Sequence, residues 1–217
     1  MKNMLEEYGR SIITAVVCIV MIGLLFFGVF SLLTVEEASL AYDVGLNNGK
    51  IYVAFNESEN TLIFTNTDQY SGYKACLASN RYGELNQDEI AQNKANRPWN
   101  SITNSIHKVE IANEIKPYTM VNWFTGLSYV TEFSNLNNID TSDVTSFENT
   151  FYQCPQIENI NISLWHTENV GNYTNMFANC FNLEAIQTGS RFVKKDGAVV
   201  TDMFKNCYDL SEHPEGF

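Results

Sequence analysis

The apolar residues of the chain follow two patterns, one continuous and one periodic. The continuous pattern covers residues 12–33, inside an uncharged stretch over residues 11–35. An α-helix rises about 1.5 Å per residue, so this segment is long enough to cross a hydrocarbon core of about 30 Å. We therefore expect a transmembrane helix over residues 12–35, with its anchor formed by Ile12, Val16, Val20, Leu24, Phe27 and Phe30.

The flanks of this segment bear on its processing and its orientation. Cleaved signal peptides usually have an apolar region of about 7–15 residues followed by small residues, whereas this region is longer and runs into Glu36 and Glu37. An uncleaved anchor is the leading interpretation, and a late-cleaved signal and a buried core helix are the alternatives. Lys2 and Arg10 favour a cytoplasmic N-terminus and an exported C-terminal part.

The periodic pattern lies in the second half of the chain. Four phenylalanines are 27, 26 and 27 residues apart, and each opens a series of apolar residues at intervals of three. A unit of this length cannot bury its apolar side alone, so successive units are expected to stack and share one core. The predicted repeat core consists of Phe124, Leu127, Phe151, Cys154, Ile157, Ile160, Phe177, Cys180, Leu183, Ile186, Phe204, Cys207 and Leu210.

Local patterns predict the secondary structure of each repeat. Residues 157–162 and 183–188 fit the L-x-x-L-x-L strand pattern of a leucine-rich repeat, and the Phe-x-x-Cys spacing is near-helical. Residues 50–66 contain two alternating apolar segments that predict a β-hairpin. The expected fold is a single N-terminal transmembrane helix plus an α+β leucine-rich-repeat solenoid of about three to four short coils, with a small hairpin-containing N-terminal cap.

The same patterns predict the domain boundaries. We expect a cytoplasmic N-terminus at residues 1–11, the transmembrane helix at 12–35, a juxtamembrane segment and capping subdomain at 36–119, and the repeats at 120–217. The last repeat lacks an evident polar cap, which terminal repeats need for solubility. It is expected either to cap itself through His213, Pro214 and Phe217 or to meet another molecule.

One repeat carries a family resemblance. Residues 165–183, WHTENVGNYTNMFANCFNL, resemble the BspA-type leucine-rich repeat of bacterial surface proteins, including the short repeats of Mycoplasma-lipoprotein-like members. The copy at residues 139–157 departs from the pattern at Ile139, Thr150 and Ile157, and the copy at residues 199–210 is shortened. The resemblance extends over roughly residues 51–210 and implies a cell-surface protein that binds other surfaces through its repeat face. It does not imply an enzyme.

Charge narrows the range of partners. The chain has 13 Lys and Arg against 25 Asp and Glu, which gives a net charge of −12. Since Lys2 and Arg10 are balanced by Glu6 and Glu7, all of this charge lies beyond the apolar segment. Such a surface repels phosphate backbones, so we expect no nucleic-acid partner.

The cysteines share the repeat period. Cys18 lies in the apolar segment, and Cys76, Cys154, Cys180 and Cys207 lie beyond it. An even number of exported cysteines is typical of a disulfide framework. Spacings of 26 and 27 residues between the last three instead indicate one recurring inward position, so free buried thiols are favoured and disulfides remain the alternative.

Residues for catalysis or metal binding are sparse. His107, His166 and His213 are far apart and lack ligand-type spacing, and no nucleotide-binding or nucleophile-elbow motif occurs, so we expect no enzyme, metal or cofactor. Asp140 and Asp143 are expected to form a turn. Trp123, Tyr129, Tyr152 and Trp165 are candidates for either partner contacts or core packing. Recurring asparagines such as Asn179 and Asn206 indicate side-chain ladders, with codon bias as the alternative.

Two functional hypotheses follow. The first is a membrane-anchored bacterial surface protein that contacts an extracellular protein or glycan, held in the membrane lipid by its N-terminal helix. The second is a self-assembling type IV pilin-like filament subunit, because an acidic residue, Glu6 or Glu7, stands at the head of the apolar helix beside Tyr8 and Gly9. The head lacks the glycine expected just upstream for prepilin cleavage.

Overall fold

The computed structural model describes residues 50–67 and 83–217, which lie in one compact unit of residues 49–217. The predicted transmembrane helix lies outside the described residues. No helix within the described ranges is long and apolar enough to span a membrane. The strands are β1 (Tyr52–Asn56), β2 (Thr61–Thr65), β3 (Gly83–Glu84), β4 (Lys108–Ile111), β5 (Glu132–Ser134), β6 (Asn159–Ile162) and β7 (Ala185–Thr188); the helices are α1 (Gln87–Gln92) and the 3-10 helices Lys94–Asn96, Asn100–Ser105 and Leu136–Asn138.

Five strands form a mixed sheet in the order β3-β1-β2-β4-β5. The antiparallel pair β1–β2 is the hairpin that the alternating apolar segments predict. All five residues of β2 are buried, and since successive side chains point to opposite faces, both faces of this strand are covered. Because β2 pairs in parallel with β4, and β4 with β5, the hairpin shares its sheet with a strand of the repeat region.

A second, separate sheet consists of β6 and β7 alone, which run parallel with Asn159 opposite Ala185 and Asn161 opposite Gln187. In β6 the isoleucines are buried and the asparagines are exposed, which follows from the two-residue period of a strand. The strands of successive repeats therefore do not form one continuous sheet.

The repeats are joined mainly through turns. We call residues 120–126, 146–153, 172–179 and 199–206 turn rows 1 to 4. Alternate N–H groups of each row donate to carbonyls of the next row, with four bonds between each neighbouring pair and N–O distances of 2.7 to 3.2 Å. In rows 1 and 2, for example, Phe124 donates to Thr150 at 2.9 Å and Gly126 to Tyr152 at 2.7 Å.

The turn rows have left-handed backbone at two positions that lie four residues apart. These positions, all at φ between 55° and 71°, are Asn122 and Gly126, Asn149 and Gln153, Asn175 and Asn179, and Asp202 and Asn206. Glycine and asparagine adopt this conformation most readily, because glycine has no Cβ and the asparagine side chain can bond to nearby backbone. The recurrence of asparagine in the repeats thus has a backbone cause.

The predicted α+β leucine-rich-repeat solenoid is wrong. Residues 118–217 contain no α-helix, and the Phe-x-x-Cys segments are turns, because residues with positive φ cannot continue a right-handed helix. The strands are divided between a mixed sheet and a separate pair, where a solenoid of this class would stack them in one sheet. The hairpin is part of the mixed sheet and is not a small independent cap.

Asparagine side chains form ladders across the rows. The Asn175 amide donates to Asn149 Oδ1 at 3.2 Å, and the Asn149 amide donates to Asn122 Oδ1 at 3.3 Å. A separate pair joins the Asn206 amide to Asn179 Oδ1 at 2.7 Å. The predicted ladders are therefore present along the stack.

The Arg97 side chain donates hydrogen bonds to backbone carbonyls of turn row 1. Its side chain is buried, and Nη1 donates to the carbonyl of Thr125 at 2.6 Å and to that of Asn122 at 3.3 Å. The Arg97 Nε donates to the Lys94 carbonyl at 2.9 Å. Burial lowers the Arg97 pKa to about 10, so the guanidinium keeps its charge at neutral pH. The Thr125 carbonyl, which has no earlier row to donate to it, thus receives a cation instead.

Candidate binding surface

Two aromatic side chains are stacked on the outside of the last two repeats. Phe181 and Tyr208 each follow a repeat cysteine directly, and their ring centroids are 5.9 Å apart with an interplanar angle of 12°. Phe181 is 41% exposed and Tyr208 is 74% exposed. We call these two residues the aromatic pair, and the repeat period explains why they lie one above the other.

Polar side chains hold the Tyr208 ring of the aromatic pair in position. The Tyr208 hydroxyl bonds to Asn206 Oδ1 at 3.1 Å, and the Asn206 amide donates to Asn179 at 2.7 Å. The exposed ring of Tyr208 is thus tied to the asparagine ladder below it. An ordered aromatic surface loses little conformational entropy when it binds a partner.

A polar face lies further along the same repeats. Asn159, Asn161, Ala185 and Gln187 are exposed on β6 and β7, while the intervening Ile160 and Ile162 are buried. Amide groups on this face can donate and accept hydrogen bonds. The surface of these repeats therefore offers both apolar and hydrogen-bonding contacts.

The four aromatic residues that were candidates for partner contacts or core packing differ in their burial. Trp123 and Trp165 are fully buried, and the Trp165 indole donates to the Leu136 carbonyl at 2.8 Å. Tyr152 is half-buried. Tyr129 is 53% exposed, but its only ring neighbour among the described residues is His107 at 6.1 Å.

The sequence patterns did not reveal the aromatic pair, because neither residue belongs to the series of apolar residues at intervals of three. The available signal was the residue after each cysteine, which is aromatic in both Cys180–Phe181 and Cys207–Tyr208. An aromatic residue that recurs one position outside a buried column is a candidate for stacking on the surface.

The residues proposed for the repeat core lie inside the turn rows and beside the strands. The fully buried members are Phe124, Leu127, Phe151, Cys154, Ile157, Phe177, Cys180 and Leu183, with Ile160 at 2% exposure; Ile186, Phe204, Cys207 and Leu210 are partly buried. The anchor residues Ile12, Val16, Val20, Leu24, Phe27 and Phe30, and the acids Glu6 and Glu7, lie outside the described residues.

The three repeat cysteines are free thiols in one column. Cys154, Cys180 and Cys207 each donate to the carbonyl of a phenylalanine in the preceding repeat at 3.1 Å. Burial raises the Cys154 pKa to about 12, the Cys207 pKa to about 11 and the Cys180 pKa well above its ordinary value. These thiols are therefore protonated and unreactive at neutral pH. Cys76 lies outside the described residues.

The raised thiol pKa values predict alkaline instability. A thiol whose pKa is raised on folding stabilises the fold below its unfolded value near 9, and this contribution is lost as the pH rises towards the folded value. For Cys154, the free energy of unfolding should fall by about 2 kcal/mol between pH 9 and 11. Urea unfolding at both pH values, under reducing conditions, measures the loss.

Cys154→Ala is the matched variant for this measurement. It should unfold more readily at every pH because it leaves a cavity, but its stability should fall less between pH 9 and 11. An unchanged pH dependence in the variant would show that other groups cause the alkaline loss.

The two aspartates that the sequence predicts in a turn form ion pairs with one lysine. Lys116 Nζ contacts Asp140 at 3.3 Å and Asp143 at 3.2 Å, and Asp140 Oδ1 accepts the Ser142 N–H at 3.0 Å. Although burial favours its neutral form, the Ser142 and Lys116 contacts leave the Asp140 pKa lowered. Within the described ranges, no three His, Cys, Asp or Glu residues are grouped as a metal site.

The three histidines lie apart. His107 is exposed beside Tyr129, and both His166 ring nitrogens lie 3.1 Å from Arg191 Nη1. His213 stacks on Phe204 with a centroid distance of 4.4 Å. Pro214 is buried, and Phe217 packs against Tyr173 with a ring-centroid distance of 5.0 Å. Residues 211–217 therefore cover the end of the apolar core, which is one of the two arrangements expected for the last repeat.

Comparison with known proteins gives one match. No curated protein and no solved structure matches the chain. The matched family model covers slightly less than half of the chain, and its description assigns neither a leucine-rich repeat nor a BspA-type protein. Residues 118–217, which contain all four turn rows, match the family described as "Mycoplasma protein of unknown function, DUF285".

Proposed function

We propose that the chain is a membrane-anchored bacterial surface protein whose aromatic pair contacts a glycan or a protein outside the cell. The observation that carries the proposal is the exposed stacking of Phe181 and Tyr208. Large apolar rings that face solvent in a fixed geometry are typical of interaction sites, because a partner can cover them at little entropic cost.

The surroundings of the aromatic pair suit both kinds of ligand. A sugar ring has a flat face of C–H groups that can pack on Tyr208, with hydroxyls that can bond to an amide such as that of Asn182, which follows Phe181 in the chain. A protein loop can use the same rings as apolar contacts. The acidic surface disfavours polyanionic ligands.

Surface location is supported by the sequence. Residues 12–33 are long and apolar enough to anchor the chain in lipid, and Lys2 and Arg10 favour a cytoplasmic N-terminus. The resemblance of residues 165–183 to BspA-type bacterial surface proteins points the same way. The match to a family of unknown function is compatible with this location and adds no ligand.

Removal of both rings tests the proposal. Cells that display the full chain are measured on arrays of oligosaccharides and of extracellular matrix proteins. Against any probe that the unchanged chain binds, Phe181→Ala with Tyr208→Ala should lower binding about tenfold or more. The fold should survive, because both side chains are exposed.

Tyr129→Ala is the matched control, since it removes an exposed ring at 53% exposure that belongs to no stacked aromatic pair. It should bind as the unchanged chain does, with surface amounts equalised by antibody staining. The proposal is wrong if the double variant keeps full binding, if the control loses as much, or if the unchanged chain binds no probe.

A further inference from the structure

The backbone hydrogen bonds between turn rows all point in one direction. At each junction the earlier row supplies the N–H groups and the later row supplies the carbonyls. The two ends of the stack are therefore chemically different. Row 1 ends in carbonyls that need donors, and row 4 ends in N–H groups that need acceptors.

The carbonyl end is partly covered. Arg97 donates to the carbonyls of Trp123 at 3.5 Å and Thr125 at 2.6 Å, which correspond by register to the row 2 acceptors. The Asn122 amide donates to the Ile90 carbonyl of α1 at 3.1 Å. The Gln87 side chain, at the start of the same helix, accepts the N–H groups of Tyr118 and Thr119. No second copy of this chain can add its own row there without displacing these groups.

Within residues 50–67 and 83–217, nothing accepts hydrogen bonds from the N–H end. By register with row 3, its donors are the N–H groups of Val200, Asp202, Phe204 and Asn206, and none of them donates a hydrogen bond within the described residues. We call these four groups the donor edge. Residues 211–217 cover the apolar core beside it, but they place no acceptor on the donor edge.

The apolar side of row 4 is also incomplete. Phe124, Phe151 and Phe177 are fully buried, whereas Phe204 is half-buried although it stacks on Phe177 at 5.8 Å and on His213 at 4.4 Å. Cys207 is likewise more exposed than Cys154 and Cys180. In the earlier rows the following repeat supplies both the carbonyls and the apolar cover.

We propose that the donor edge binds a segment of a partner polypeptide that offers backbone carbonyls at alternate residues and so continues the stack. The three internal junctions show this contact in the same chain, each with four in-register bonds. Two donor edges cannot pair with each other, and Arg97 covers part of the complementary edge of a second copy. The Asp202 carboxylate and the apolar Phe204 ring make the edge a poor anion site. This inference does not depend on the aromatic pair.

Amide hydrogen exchange on the full chain in detergent micelles tests the inference. The probe is a synthetic peptide of residues 169–188, whose carbonyls at Asn172, Thr174, Met176 and Ala178 accept the row 2 bonds in the intact protein. Without the peptide, the donor edge should exchange about 100-fold faster than the N–H groups of Tyr173, Asn175, Phe177 and Asn179. Saturating peptide should slow the donor edge about tenfold or more, and a scrambled peptide should not.

Val200→Pro removes one donor from the edge without removing a hydrogen bond present in the protein. It should weaken peptide binding about fivefold. Leu164→Ala, at an exposed position away from the row, should leave binding unchanged. If Val200→Pro fails to fold, as judged by circular dichroism, the exchange data on the unchanged chain decide the question.

Five results would overturn the inference. The donor edge could be protected in the dilute protein without peptide, or its protection could rise with protein concentration, which would make a second copy the occupant. Inorganic phosphate could protect the edge where the peptide does not. The peptide could also bind without slowing exchange at the donor edge, or fail to bind.

Discussion

Replacement of Arg97 by alanine is expected to lower the free energy of unfolding by about 3–5 kcal/mol. Arg97 is 4% exposed, and its guanidinium donates to the carbonyls of Asn122, Thr125 and Lys94. Without it, the carbonyls at the start of the turn stack lose a charged donor and are left in a buried site. Urea unfolding followed by tryptophan fluorescence measures the loss.

Two further variants serve as comparisons. One separates the geometry of the guanidinium group from its charge, and the other removes an exposed arginine. Arg97→Lys keeps the charge but offers a single nitrogen, so it should recover only part of the lost stability. Arg191→Ala removes an exposed arginine that contacts His166, and it should change stability by less than about 0.5 kcal/mol. An Arg97→Ala protein as stable as Arg191→Ala would contradict the capping role.

The second large effect is expected for Phe177→Ala, at about 3–5 kcal/mol. Phe177 is fully buried and stacks on Phe151 at 5.3 Å and on Phe204 at 5.8 Å, with interplanar angles of 4° in both cases. Its removal empties the middle of the aromatic column, which joins three turn rows. Chemical unfolding gives the difference directly.

Phe204→Ala is the matched comparison, because it makes the same truncation at the half-buried end of the column. Its expected loss is about 1–2 kcal/mol, since less buried surface is removed. Equal losses at the two positions would mean that row 4 is covered as fully as row 3. That result would also count against an open donor edge.

The sequence predicted which residues recur but not the backbone that they adopt. The period of 26 to 27 residues is the spacing of the turn rows, and the phenylalanines and cysteines form columns along the stack. Spacing of three between Phe177 and Cys180 fits a helix and a series of turns equally well. An asparagine two residues before each of Phe124, Phe151 and Phe177 was the signal for left-handed backbone.

Local sequence patterns could not predict how the strands are arranged in sheets. Parallel pairing of β2 with β4 joins residues more than forty positions apart, and only tertiary contacts determine it. The covering of row 1 by Arg97 is equally non-local, because a single arginine before Trp99 carries no pattern. The aromatic pair is an intermediate case, since its spacing is visible but its exposure is not.

Substitution of Gln153 tests most directly whether the repeats are built from turns that contain residues with left-handed backbone. Gln153 is exposed at φ 60°, and its side chain makes no hydrogen bond within the described residues. Glycine tolerates this conformation and alanine does not, so Gln153→Gly should be more stable than Gln153→Ala by about 1 kcal/mol. In an α-helix the order would be reversed by a similar amount, so a more stable alanine variant would contradict the turn-row structure.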